Sequence, residues 1–259
     1  MENIEVKESK PKILKSLLSL SHELGREDRK MAILGEGNTS ARVDGNRFLI
    51  KASGSSLSDL RSSDVVECRS EVLLGLLVGT THNDEEVEAA MYASRVNARS
   101  KKPSVEALFH AYLLTLEGVN FVGHTHAIAV NQILCSPRAG EFAEKRIFPD
   151  EIVCCGASSV FIPYTDPGLA LAKKIRIFTL EFLKQYNVPP RVILIQNHGI
   201  ITLGPTSESV LAAMLMAEKA AQIWAGASTI GGPVFLTQEN VNRIASRTDE
   251  HYRQQALKL

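Results

Sequence analysis

Apolar residues along the chain fall into runs of two periods. Ile13, Leu14, Leu17, Leu18 and Leu24 recur at helical spacing and predict an opening amphipathic helix over residues 11–25. Residues 39–43 and 47–51 flank Asp44-Gly45-Asn46, a turn sequence that predicts a hairpin. Residues 83–98 read as a helix with Asp84, Glu85 and Glu86 in its first turn and Arg95 and Arg99 toward its end, the order the helix dipole favours. A further helix over 104–116 follows Pro103, and residues 119–122 form a buried strand running into a short helix at 127–134. Strands are expected at 150–155 and 160–162, and a helix at 167–185. Residues 191–195 form a strand that leads through Asn197-His198-Gly199 into another, and helices follow at 207–227 and 238–257. These elements do not alternate in the strict order of a parallel sheet, which favours a layered α/β or α+β sheet over a nucleotide-binding fold.

Composition narrows the picture. With 259 residues and 44% hydrophobic content the chain can bury a large core. No compositional break divides it, so one domain over 1–259 is the expectation. Twenty-nine Lys and Arg balance twenty-nine Asp and Glu, so no broad field attracts nucleic acid or an anionic membrane and any anion must be captured locally. The polar start MENIEVKESKPK lacks the apolar core of a signal peptide, and no segment is apolar enough to span a bilayer. A cytoplasmic protein is expected. Cys68, Cys135, Cys154 and Cys155 lack zinc-site spacing and read as reduced, with Cys154 and Cys155 packed in a strand.

The chemistry concentrates on His124 and His126, in GHTHAIAV, and on His198, in LIQNHGIITLG. Alternation along a strand sends His124 and His126 to one side, and all three histidines sit where strands leave the core. Three neutral imidazoles suit Zn²⁺ with one position open, although an H-x-H pair alone also arises by chance. Gly35 to Ser40 and Ser53-Gly54-Ser55-Ser56 are glycine-rich turns at one end of the hairpin. They could wrap an oxyanion or serve only as turns. Ser104 could bind an anion or cap its helix. Glu106 could be a general base at the metal, oriented from behind by His110 one turn on, or it could simply sit well at a helix start, the pair then being only a helix-surface contact.

Taken in order, GEGNTSARVDGNRFLIKASGSS, PSVEALFH, GHTHAIAV and QNHGIITLG resemble the class II aldolase/adducin family over roughly residues 13 to 227. The resemblance implies a three-layer α/β/α fold around a largely antiparallel sheet, and a homotetramer with active sites between subunits. It implies one Zn²⁺ per subunit on His124, His126 and His198, although other divalent ions also suit imidazole. Glu106 would be the catalytic acid or base, with Gly37, Asn38, Ser53, Gly54 and Ser104 holding a substrate phosphate. The implied reaction is reversible retro-aldol cleavage of a ketose phosphate to dihydroxyacetone phosphate and an aldehyde. A sugar-phosphate 4-epimerase, a decarboxylase or dehydratase, and a non-catalytic adducin-like scaffold are the rival readings. Two departures matter. Val105 stands where the family often has a second serine, and Asp150 lies near the position of the family's proton-donating tyrosine. Tyr164 and Tyr252 are the other candidates for that acid, Tyr164 also reading as a buried aromatic with a satisfied hydroxyl.

Overall fold

The computed structural model describes residues 9–79, 82–249 and 252. Its elements run α1 (Lys10–Leu24), β1 (Asn38–Arg42), β2 (Arg47–Lys51), β3 (Val65–Arg69), α2 (Ser70–Leu77), α3 (Asp84–Ser94), α4 (Ala107–Leu113), β4 (Phe121–Thr125) and α5 (Ile128–Leu134). There follow α6 (Ala139–Glu144), α7 (Pro149–Cys155), β5 (Val160–Ile162), α8 (Leu169–Tyr186), β6 (Val192–Ile195), β7 (Gly199–Gly204), α9 (Ser207–Ser228) and α10 (Gln238–Ala245).

The seven strands form one sheet in the order β3-β2-β1-β4-β7-β6-β5. Every neighbouring pair is antiparallel except β5 with β6, so the largely antiparallel, layered expectation holds. Strand alternation feeds two cores. Ala41, Leu49, Phe121, Val192, Leu194 and Ile200 face a layer built by α1, α5, α6, α7 and α9, while Phe48, Ile50, Val122, Ile193, Ile195 and Ile201 face α2, α3, α4 and α8. Burial on both faces explains why β6 and β7 read as continuous apolar runs. No helix among the described residues is long and apolar enough to cross a membrane.

Residues 150–155 form helix α7, not the expected strand. Ile152, Val153, Cys154 and Cys155 are all buried and look strand-like locally. Pro149 in the first turn, Asp150 and Glu151 beside it, and Gly156 at φ 86° after the last turn are helix start and stop signals that prevail. Cys154 and Cys155 are therefore buried in a helix, and all four cysteines are free thiols. The helix expected at 83–98 ends at Ser94, because Arg95 turns extended and bridges to Cys68 at the sheet edge. The helix expected at 104–116 begins only at Ala107. Of the helix expected to run to 257, α10 ends at Ala245, helical backbone resumes at Thr248 and Asp249 and again at Tyr252, and residues 250–251 and 253–259 lie outside the described part. The pattern had not resolved β3, α2 or α6; β3 is a short edge strand that buries only Val66 and Cys68 fully.

Candidate metal centre

β4 lies at the middle of the sheet between β1 and β7, and its C-terminal end delivers His124 and Thr125 before the chain bends at His126. The His126 N–H donates to Met31 O at 3.0 Å, which ties that bend to the segment before β1. His198 closes the turn between β6 and β7. There Asn197 takes the left-handed conformation at φ 55°, and Asn131 of α5 donates to His198 O at 3.0 Å. Next in line, Gly199 lets the strands close. A Cβ at that position would stand 2.5 Å from Thr125 O and 2.9 Å from His126 Cδ2.

The three imidazoles face one another at centroid separations of 5.0, 5.1 and 5.1 Å, and one nitrogen from each lies within 4.8 Å of the others. His124 Nε2 and His126 Nε2 are 3.2 Å apart. Two nitrogens bound to one tetrahedral zinc at about 2.05 Å would be separated by roughly 3.3 Å. His124 Nδ1 donates to Ile200 O at 3.0 Å, which leaves Nε2 with a free lone pair for a metal. Burial and the neighbouring ring push the His124 pKa down to about 3, and burial with the adjacent histidines brings His198 down to about 4. Three imidazoles converging in this way, His124 and His198 held neutral by burial, fit a divalent cation.

Glu106 completes the cluster. Its Oε1 lies 3.5 Å from His198 Nε2 and its Oε2 lies 3.6 Å from His124 Nε2, with the residue 9% exposed. It occupies the N-cap position of α4, and Ser104 Oγ accepts its backbone N–H at 3.3 Å. The expected orienting link from His110 to Glu106 runs through Asn38. His110 bonds Asn38 Oδ1 through Nε2 and Ser40 Oγ through Nδ1 at 2.6 Å, and Asn38 Nδ2 donates to Glu106 Oε2 at 2.5 Å. Asn38, read as an anion ligand, thus has both ends of its side chain engaged; Ser104 Oγ lies within 3.4 Å of the same amide nitrogen.

The other expected anion residues sit close by. Gly37, at φ 66°, packs against β4 so tightly that a Cβ would stand 2.6 Å from His124 O. Ser53 and Gly54 are exposed on the loop after β2, Gly54 at φ 76° with open space around it. Ser53 N donates to Lys102 O and Ser104 N to Lys51 O, which brings that loop beside the start of α4. Val105 is 49% exposed.

Tyr164 is exposed, correcting the buried-aromatic reading. Its hydroxyl donates to Asp166 Oδ1 at 3.0 Å, a contact that raises the phenol pKa. Tyr252 is exposed, and Asp150 stands in the first turn of α7, a helix packed against α9 and α10. Three site neighbours escaped the sequence reading. Glu36 Oε1 stands 3.6 Å from His126 Nδ1. Buried Glu218 accepts the N–H groups of Ala129 and Val130 just after His126, both at 3.3 Å. Lys51, at the end of β2, is 2% exposed. A charged residue at the end of an apolar strand was the only available signal for Lys51, and it is a weak one.

A solved structure of the N-terminal class II aldolase domain of a conserved protein from Thermoplasma acidophilum is 23% identical, with a TM-score of 0.67 over 87% of this chain and 99% of that one. An L-fuculose 1-phosphate aldolase is 17% identical, with a TM-score of 0.69 over 96% of this chain and 99% of that one. These likenesses show the fold. In sequence, the uncharacterized oxidoreductase YuxG of Bacillus subtilis (strain 168) is 27% identical over 207 residues, 77% of this chain; the chain spans 27% of that relative's length. The sequence pattern of the family described as Class II Aldolase and Adducin N-terminal domain matches residues 15–225. The chain belongs to the class II aldolase/adducin family.

Proposed function

We infer that the protein is a metal-dependent aldehyde-lyase that reversibly cleaves a ketose phosphate to dihydroxyacetone phosphate and an aldehyde. The observation that carries this reading is the Glu106 carboxylate, held by Asn38 against both His124 and His198. A divalent cation on His124, His126 and His198, with zinc the first choice for three imidazoles, would supply Lewis-acid polarisation of a substrate carbonyl.

The remaining work falls to the protein's own groups. Ser53, Gly54 and Ser104, with the Gly37 turn, hold the phosphate and so fix which carbon faces Glu106. In condensation, Glu106 takes a proton from the carbon next to the ketone, and the electron pair left there forms the bond to the aldehyde carbon while the aldehyde oxygen takes up a proton from a second acid. Cleavage runs the same transfers in reverse. Asn38 keeps the carboxylate aimed, and His110 and Ser40 keep Asn38 aimed. A homotetramer in the cytoplasm, acting on a small sugar phosphate, completes the reading, with active sites formed between subunits.

The test is a screen of ketose 1-phosphates and related sugar acids with zinc-loaded protein, following aldehyde, dihydroxyacetone phosphate and carbon dioxide. Dihydroxyacetone phosphate released in step with aldehyde supports the proposal. Carbon dioxide from a sugar acid, or an inverted sugar without fragments, would replace it with a decarboxylase or epimerase.

A further inference from the structure

His124 and His198 turn the same nitrogen toward Glu106. His124 Nε2 lies 3.6 Å from Oε2 and His198 Nε2 lies 3.5 Å from Oε1, so Nε2 is the cluster-facing atom of both rings. An imidazole that gives one nitrogen's lone pair to a cation carries its proton on the other, and that N–H needs an acceptor when it is buried. His124 meets the requirement, with Nδ1 donating to Ile200 O at 3.0 Å. His198 does not. Its Nδ1 is buried and has no hydrogen-bond partner among the described residues.

A buried acceptor in the same position lies on a residue already bonded to His198. Asn131 Nδ2 donates to His198 O at 3.0 Å, while Asn131 Oδ1 is buried without a partner among the described residues. One carboxamide thus spends its donor on the His198 backbone and leaves its acceptor unused, and the ring of that histidine leaves a donor unused. Each orphan carries the cost of lost hydration, and pairing the two removes both costs. The helix holds the amide in place. Ala129, Val130, Ile133 and Leu134 bury one face of α5; Glu218 accepts the N–H groups of its first turn, and Asn197 N donates to Leu134 O at its end, at 3.2 Å. Asn131 and Gln132 are the polar residues of α5, and Gln132 is exposed.

We propose that Asn131 is the positioning residue of His198, its Oδ1 accepting the Nδ1–H while its Nδ2 holds the carbonyl, so that ring orientation and tautomer are both fixed with the Nε2 lone pair aimed at the cation. Asn131 does for His198 what Ile200 O does for His124. This rests on the metal-centre part of the functional reading and on nothing about the substrate.

The probe is zinc, titrated in competition with a chromophoric chelator into wild type, Asn131→Leu and Asn131→Asp, with circular dichroism reporting folding. Leucine fills the space and offers no hydrogen bond. Asn131→Leu should bind zinc about 10- to 100-fold more weakly, the range for loss of a ligand's outer partner. Asn131→Asp separates the two halves of the amide, because a carboxylate keeps the acceptor and loses the donor to His198 O. It should bind zinc at least as tightly as wild type; if the amide only tied the turn through Nδ2, it would bind as weakly as Asn131→Leu. A crystal structure of zinc-loaded wild type should place Asn131 Oδ1 about 3 Å from His198 Nδ1. Should Asn131→Leu fail to fold, that distance and the Asn131→Asp affinity decide. Wild-type zinc affinity in folded Asn131→Leu, a leucine-like loss in Asn131→Asp, or a different acceptor on Nδ1 in the crystal would each overturn the proposal. Wild type that holds zinc with this bond in place yet cleaves no ketose phosphate would sink the aldolase reading and leave this inference standing; wild type that binds no zinc would overturn both.

Discussion

Asn38 Nδ2 donates to Glu106 Oε2 at 2.5 Å across 68 residues of chain. With that nitrogen facing a carboxylate, Asn38 Oδ1 must accept from His110 Nε2–H, and the neutral ring then accepts at Nδ1 from Ser40 Oγ, 2.6 Å away. Each member of this buried chain determines the next one's orientation. Outer partners of this kind commonly change activity by about 10- to 100-fold when removed. Asn38→Ala should lower kcat on that scale while metal content stays at the wild-type level. Glu106→Gln should lower it much further, and adding Asn38→Ala to Glu106→Gln should cost little more, because the carboxylate that Asn38 aims is already gone. Additive losses in the double variant would show that Asn38 acts on substrate by itself.

His124, His126 and His198 should bind about one divalent ion per chain, as three converging imidazoles do. Elemental analysis of protein purified without chelators measures this directly. His124→Ala should lose the ion, because His124 is the ring whose Nε2 is set free by the Nδ1 bond to Ile200 O. Chelator treatment of wild type should abolish turnover, and zinc should restore it. A folded, fully active, metal-free protein would refute the assignment.

Gly199→Ala places a methyl group 2.5 Å from Thr125 O and 2.9 Å from the His126 ring. The β4–β7 pair would have to open at the histidine end. Overpacking of this kind costs about 1–3 kcal/mol, and urea unfolding should register it. Metal affinity should fall as well, because the strand carrying His124 is pushed from the turn carrying His198. Unchanged metal affinity would mean that the ends of these strands have slack.

Burial holds His110 neutral, with a pKa well below the ordinary 6.5. Below pH 6.5 the unfolded chain takes up a proton there that the native state does not, so stability falls as the solution is acidified. The contribution is fully present above the unfolded pKa and is lost as pH drops toward the folded one. For one such group the slope is about 1.4 kcal/mol per pH unit. In metal-free protein, urea unfolding between pH 6 and 5 should show His110→Gln losing stability less steeply than wild type by about that amount. Equal slopes would place a proton on His110 in the native state.

Local pattern carried the hairpin, the central strands and most helices, because a period of two or 3.6 is visible in Phe48 and Ile50 or in Leu17 and Leu24 without knowing what they touch. It misread residues 150–155. There the apolar run IVCC hid the helix start and stop signals at Pro149 and Gly156, and the buried face of that helix packs against α9. The site was legible to the same degree. His124, His126 and His198 stood out because three histidines at strand ends are uncommon, and Glu106 stood out through the PSVEALFH motif that accompanies them. Lys51 and Glu218 did not, since lysine and glutamate are common and acquire meaning only from the neighbours that bury them.

The sequence by itself determined the kind of protein this is. Strand and helix periods, three histidines with free lone pairs and a carboxylate at a helix start are local chemical facts, and together they resemble one family. The tertiary structure decided how those groups act on one another. Asn38 reaches Glu106, His110 reaches Asn38 instead of Glu106, and Lys51 clasps two loops from beneath the sheet. These are contacts between residues far apart in the chain. Their distances follow from strand register and from the burial that forces each polar group to find a partner, and neither can be read one residue at a time.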